Sequence, residues 1–172
     1  QQQLEEMIMG LEKVKCGKIF FKQEEITAMS VKERCKRGIG YIPSDRYKRA
    51  ILPGFSLKDN YLLGNQYKGN YVRKGILNQD YIAKKTKELM RKFDVRAVNG
   101  EQAIGALSGG NQQKLVLSRE VDKDPDLILA CQPVRGLDIG AIKFIHEVLL
   151  ELRNQGKAVL LISAELSDLF QL

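Results

Sequence analysis

Leu107-Ser108-Gly109-Gly110-Asn111-Gln112-Gln113-Lys114 is the stretch that decides how this chain folds. Two glycines after a serine let the backbone lie close to a ligand with its N–H groups exposed. The polar, helix-forming residues that follow run into Lys114-Leu115-Val116-Leu117 and open a helix expected over Ser108 to Val121. Backbone donors at a helix N-terminus, helped by the helix dipole, make a site for phosphate.

Downstream, Asp126-Leu127-Ile128-Leu129-Ala130 is a compact apolar run between Pro125 and Pro133 and reads as a buried strand. Ile139 to Asn154 carries Ile142, Ile145, Leu149 and Leu152 on one face, which predicts an amphipathic helix ended by Gly156. Ala158-Val159-Leu160-Leu161-Ile162 reads as a second buried strand, and Glu165 to Leu172 as the start of a last helix. Strand–helix–strand order implies a crossover and a parallel sheet.

Upstream, residues 1–10 read as a helix stopped at Gly10, and Gly17-Lys18-Ile19-Phe20-Phe21 as a short strand. Ser30 with Glu33 forms a capping box for a helix ending near Gly38. Ile39-Gly40-Tyr41-Ile42 is then a strand closed by Pro43, and Arg46 to Gly54 a basic loop. From Ser56 the pattern is helical, first Leu57 to Leu63, then about Gln79 to Phe93, with a loop rich in Gly, Asn and Lys between. The expected fold is one α/β domain. Residues 1–55 and 109–172 form its sheet-containing core, and 56–108 form an inserted α-helical subdomain.

The 172 residues suffice for one domain with a sizeable core. No apolar run reaches the roughly 20 residues needed to span a bilayer, and no signal peptide is visible. The first residues look like the inside of a helix, so the chain reads as part of a longer one. Cys16, Cys35 and Cys131 form no CxxC pair, which supports neither a zinc site nor a redox motif. A net charge of +7 fits nucleic acid, anionic headgroups or a phosphate ligand. Much of the excess falls between Arg46 and Arg96, where helical spacing scatters it over a solvated surface. The chain has no RNA-binding aromatic signature, zinc finger or helix-turn-helix, so nucleic acid is not an expected partner.

Leu107 to Lys114 resembles the signature motif of ABC-transporter ATPases. The run Gln132-Pro133-Val134-Arg135-Gly136-Leu137-Asp138 resembles the end of that family's Walker B strand and its D-loop. Gly38-Ile39-Gly40-Tyr41-Ile42-Pro43-Ser44-Asp45-Arg46 resembles the strand and loop that carry its Q-loop. The match covers nearly the whole chain in the expected order. It is similar above all to the second ATPase half of the tandem ATP-binding subunits that energise bacterial uptake of simple sugars and nucleosides, and more to the nucleoside branch than to the ribose branch. The resemblance implies a P-loop NTPase-like parallel-sheet core, here as an incomplete fragment.

The chemistry of ATP hydrolysis needs a glycine-rich cradle with a lysine, carboxylates for Mg²⁺, and a group that positions water. No GxxxxGK[ST] occurs in this chain. Matched to the family, the P-loop lysine position is Gln1, the Q-loop glutamine position Ser44 and the switch histidine position Ala164. The Walker B Asp and Glu positions read Cys131 and Gln132. Cysteine is a soft ligand poorly suited to Mg²⁺, and glutamine cannot accept a proton as a carboxylate does. The only histidine, His146, falls in mid-helix and is expected to be structural or superficial, with no partner that would make it catalytic. No catalytic residue is therefore expected intact, and no metal ligand.

What survives is the signature. The resemblance implies that Ser108, Gly109, Gly110, Asn111 and Gln112 face ATP held, with Mg²⁺, mainly by a partner domain. Gly136, Leu137 and Asp138 would lie at the dimer seam. The implied partners are an intact first nucleotide-binding domain, permease membrane subunits received by a groove along Arg46 to Phe55, and indirectly an extracytoplasmic solute-binding protein. The implied location is peripheral, on the cytoplasmic face of the bacterial membrane. The alternative is an autonomous ATPase domain, against which the replaced residues stand. An incomplete sheet is also expected to expose apolar edges that favour self-association.

Overall fold

The computed structural model describes residues 1–171. Helix α1 (Gln2–Met9) ends at Gly10, which is left-handed at φ 76°. A β-carbon there would lie 2.9 Å from Met29 O and 3.0 Å from Arg34 Nε. Glycine is thus required both by conformation and by space. A hairpin of β1 (Phe20–Phe21) and β2 (Glu24–Glu25) follows, its second strand unforeseen in the sequence. Helix α2 (Val31–Lys36) has the expected capping box between Ser30 and Glu33.

Strands β3 (Ile39–Ile42), β6 (Leu127–Cys131) and β7 (Ala158–Ile162) form a parallel sheet in the order β3-β6-β7. Ile39 sits opposite Leu127, and Leu127 opposite Ala158. The central strand β6 alternates between two cores. Ile128 and Ala130 pack with Leu115, Leu117, Ile145 and Leu149 on one face. Leu129 and Cys131 pack with Met9, Ile26 and Ile39 on the other. Period-two alternation of a wholly apolar strand serves both faces at once. Each Leu or Ile so buried contributes about 1.5–3 kcal/mol. β7 departs from the expectation of a buried strand. Among the described residues it pairs with β6 alone, and Leu160 is 40% exposed.

Between β3 and β6 the chain forms α3 (Arg46–Arg49), α4 (Leu57–Leu62), the β4 (Val72–Arg73) and β5 (Ile76–Leu77) hairpin, α5 (Gln79–Lys92) and α6 (Gly109–Val121). Two expectations need correction here. The basic loop at 46–49 is a helical turn, because Asp45 caps it by accepting from Lys48 N–H at 3.1 Å. The loop before α5 contains an antiparallel hairpin turned by Lys74 and Gly75, both at positive φ, so segment 56–108 is not wholly helical. Helices α7 (Ile139–Asn154) and α8 (Leu166–Gln171) complete the described chain. Residue 172, within the expected last helix, lies outside the described residues.

Arg34 is 1% exposed and has no carboxylate partner among the described residues. Its guanidinium donates to four carbonyls: Met7 O at 2.7 Å, Ile8 O at 2.6 Å, Thr27 O at 2.8 Å and Met29 O at 3.0 Å. The planar fork of five donors gathers the end of α1 and the entry to α2. Arg119 does the same between core and insertion, donating to Ala50 O and Asn60 O, each at 2.9 Å.

Candidate functional site

The first site is the N-terminus of α6. Ser108 caps it and accepts hydrogen bonds from Asn111 N–H at 3.4 Å and Asn111 Nδ2 at 3.0 Å. Asn111 Oδ1 in turn accepts Arg96 N–H at 2.8 Å. Ser108 is exposed, and the first N–H groups of a helix lack intrahelical partners. The loop therefore presents a hydroxyl and backbone donors on a helix N-terminus to solvent.

Gly110 is buried beneath it. A β-carbon at Gly110 would sit 2.9 Å from Ala141 Cβ and 3.0 Å from Asp138 Oδ2. Asp138 caps α7 by accepting Ala141 N–H at 2.9 Å. The signature loop and the loop through Gly136, Leu137 and Asp138 are thereby pressed together, and Leu137 reaches Gly109.

Gln112, expected among the residues facing nucleotide, turns inward instead. It is 1% exposed, donates to Leu107 O at 3.1 Å and Ile104 O at 3.3 Å, and accepts from Arg46 Nε at 3.1 Å. Its amide braces the loop rather than facing outward. Lys114 is likewise a brace, bound to Asp94 Oδ2 at 2.8 Å and lying 4.6 Å from the Phe144 ring centroid. That pairing holds the Asp94 carboxyl below its ordinary pKa.

The second site is where the five positions expected from the resemblance to be replaced converge. Gln132 Nε2 donates to Gln1 Oε1 at 3.0 Å, and Gln132 Oε1 accepts Ala164 N–H at 3.3 Å. Ser44 Oγ donates to Glu5 Oε1 at 2.6 Å. Cys131 lies beside the same carboxylate. Burial, then the hydrogen bond to Glu5 and its charge, push the Cys131 thiol far above its usual range. A thiol so held is not a thiolate ligand. Gln1, Ser44, Cys131, Gln132 and Ala164 thus gather around the end of β6 from four separate chain segments.

Glu5 is the residue that sequence reasoning missed. Its signal was present: it lies one turn before Met9, the other buried residue of α1, so a carboxylate occupies the buried stripe. The residues here do not suit Mg²⁺. The pair at the strand end is a neutral thiol and an amide, and the Glu5 carboxylate is engaged by Ser44.

His146 has the partners the sequence did not reveal. It is 5% exposed, with Nδ1 2.8 Å from Gln171 Oε1 and Nε2 3.3 Å from Asp168 Oδ1. Asp168 also accepts from Ser163 Oγ at 2.5 Å. The group ties α8 to α7 and to the end of β7, so His146 is structural. A groove of about 380 Å³ runs between the sheet core and the insertion, lined by Met9, Tyr41, Ile51, Leu52, Leu63 and Arg119 among others. Among the described residues no helix is long and apolar enough to cross a membrane.

A parallel sheet with a helix-capped glycine loop seated on an aspartate-capped neighbour is the architecture of an ATP-binding cassette. The chain belongs to the ABC transporter family, whose model matches residues 3–135. It is 42% identical over 172 residues to the guanosine import ATP-binding protein NupO of Bacillus subtilis, covering all of this chain and 34% of that protein. It is 38% identical over 169 residues to the nucleoside import ATP-binding protein NupA of Lactococcus lactis, covering 98% and 33%. The chain thus spans about a third of the length of these curated relatives. The dimeric structure of MJ0796, a bacterial ABC transporter cassette, shares the fold at a TM-score of 0.78 and 21% identity, over 98% of this chain and 72% of that one.

Proposed function

We propose that this chain is part of the ATP-binding subunit of an importer of nucleosides or simple sugars, and forms its second, degenerate nucleotide-binding domain. Residues 56–108 are its helical subdomain and the remainder its core. The names of the relatives, guanosine import and nucleoside import, favour nucleosides. The carrying observation is the exposed Ser108 cap with Gly110 locked against Asp138.

In this reading, Ser108 Oγ and the N–H groups of Gly109 and Gly110 close over the γ-phosphate of ATP held with Mg²⁺ by an intact first domain. Asn111 holds Ser108, and Gln112 supports the loop from below. Gly136, Leu137 and Asp138 form the seam between the domains. The groove beside Ile51 and Leu52 receives a permease segment, which places the subunit on the cytoplasmic face of the membrane, with a solute-binding protein acting on the far side.

Ser108→Glu in the complete transporter is expected to abolish ATP hydrolysis, because a carboxylate would oppose the γ-phosphate. Unchanged turnover would remove the trans role. Titration of this chain with Mg-ATP in a calorimeter separates the reading from an autonomous ATPase. No heat at millimolar nucleotide is expected, and saturable binding with turnover would favour the autonomous enzyme.

A further inference from the structure

We propose that the basic groove between α2 and the loop after α4 binds the phosphate-bearing headgroup of an anionic phospholipid. The groove has a volume of about 760 Å³ and is walled by Lys32 and Lys36 on one side and by Tyr67 and Lys68 on the other. Its charge follows from pairing. Of the remaining cations, Arg37 is bound to Glu24 at 2.7 Å and Lys123 to Glu120 at 2.6 Å. The two acids in the wall are also satisfied, Asp124 by Lys157 at 2.7 Å and Asp126 by Lys22 at 2.5 Å. Lys32, Lys36 and Lys68 are left with no ion-pair partner among the described residues, three cations converging on one cleft. Such a cleft fits a compact anion rather than an extended polyanion.

Two observations select a lipid. Tyr67 is 64% exposed, and Lys32 Nζ lies 4.1 Å from its ring centroid, which joins the two walls. An exposed tyrosine beside lysines that have no ion-pair partner among the described residues suits the polar–apolar boundary of a bilayer, where an amphipathic ring and ammonium groups meet lipid headgroups. The cleft is also continuous with the apolar groove at Ile51 and Leu52, because Val31, Cys35, Gly64 and Lys123 line both. The inference rests on the reading of that groove as the permease seat, since a surface beside the seat faces the membrane.

The test is co-sedimentation of the purified protein with vesicles of phosphatidylcholine, with or without phosphatidylglycerol. Binding is expected only with phosphatidylglycerol. Lys36→Glu with Lys68→Glu is expected to weaken it at least about tenfold, since each lysine near an anionic surface contributes roughly fivefold. Lys84→Glu with Lys87→Glu on α5 changes net charge equally and is expected to leave binding within about twofold. Lys36→Gln with Lys68→Gln, checked for folding by circular dichroism, gives the same order with a smaller loss.

Equal loss in both charge-reversal pairs, or no preference for phosphatidylglycerol, would overturn the proposal. So would full competition by soluble glycerol phosphate, which would make this a site for free phosphate esters. The permease reading is tested separately, by cross-linking a cysteine at Leu52 in the assembled transporter. Its failure with lipid binding intact would remove the orientation argument and leave the headgroup site.

Discussion

Ser44 Oγ donates a 2.6 Å hydrogen bond to Glu5 Oε1, joining the loop after β3 to the first helix across 39 residues of sequence. Glu5 is 2% exposed, so this bond satisfies a carboxylate that water scarcely reaches. The Cys131 thiol completes its surroundings. At the place where the family's resemblance calls for magnesium chemistry, the chain has built a closed polar contact from its own residues.

Ser44→Ala is expected to lower stability by about 1–3 kcal/mol, because it removes the hydroxyl donor and leaves the buried carboxylate to the weaker Cys131 thiol. Glu5→Gln is expected to cost less, since the amide oxygen still accepts from Ser44 and no charge is stranded. Urea unfolding of the two variants gives the order, and a larger loss for Glu5→Gln would show that the negative charge itself is stabilising.

Gly110 and Gly109 are adjacent but not equivalent. Gly110→Ala drives a β-carbon to 2.9 Å from Ala141 Cβ and is expected to cost about 1–3 kcal/mol. Gly109→Ala meets the far end of the Arg46 side chain at 2.8 Å, which can swing away. Better helix propensity offsets that movement by roughly 0.5–1 kcal/mol, so Gly109→Ala is expected to be near neutral. Thermal melts of both variants would reveal the asymmetry, and equal losses would contradict this packing.

Burial alone would raise the Glu120 carboxyl, but Lys123 and Arg119 outweigh it and hold its pKa below the usual 4.5. A depressed folded pKa contributes stability that is present above the unfolded value and lost as pH falls through the folded one. Stability is therefore expected to fall on acidification below pH 4.5, with Glu120 contributing to the slope. Lys123→Met, which removes the 2.6 Å partner, is expected to flatten that slope in denaturant titrations at a series of pH values.

Arg34→Lys keeps the charge and loses the geometry. One ammonium with three donors cannot serve four carbonyls spread from Met7 to Met29. A loss of more than about 3 kcal/mol is expected by chemical denaturation. Hydrogen exchange should locate the loosening at the end of α1.

Periodicity and local chemistry determined much of this protein. The apolar runs at 126–130 and 158–162, which form β6 and β7 within one residue, the amphipathic face of α7, the Ser30–Glu33 capping box and the helix opening at Ser108 were all legible in the sequence. Each depends on dihedral preferences and side-chain spacing within a few residues. The helical turn at 46–49 and the hairpin at 72–77 were harder to read, because short elements carry little periodic signal. What only the tertiary structure decided is which distant residues meet. Gln132 reaches Gln1 across 131 positions, Glu5 lies between Ser44 and Cys131, and His146 finds Asp168. No local pattern encodes these contacts. The parallel sheet creates them by bringing the ends of its strands, and the loops that leave them, to one edge, where a buried group such as the Glu5 carboxylate meets a polar partner from a distant segment.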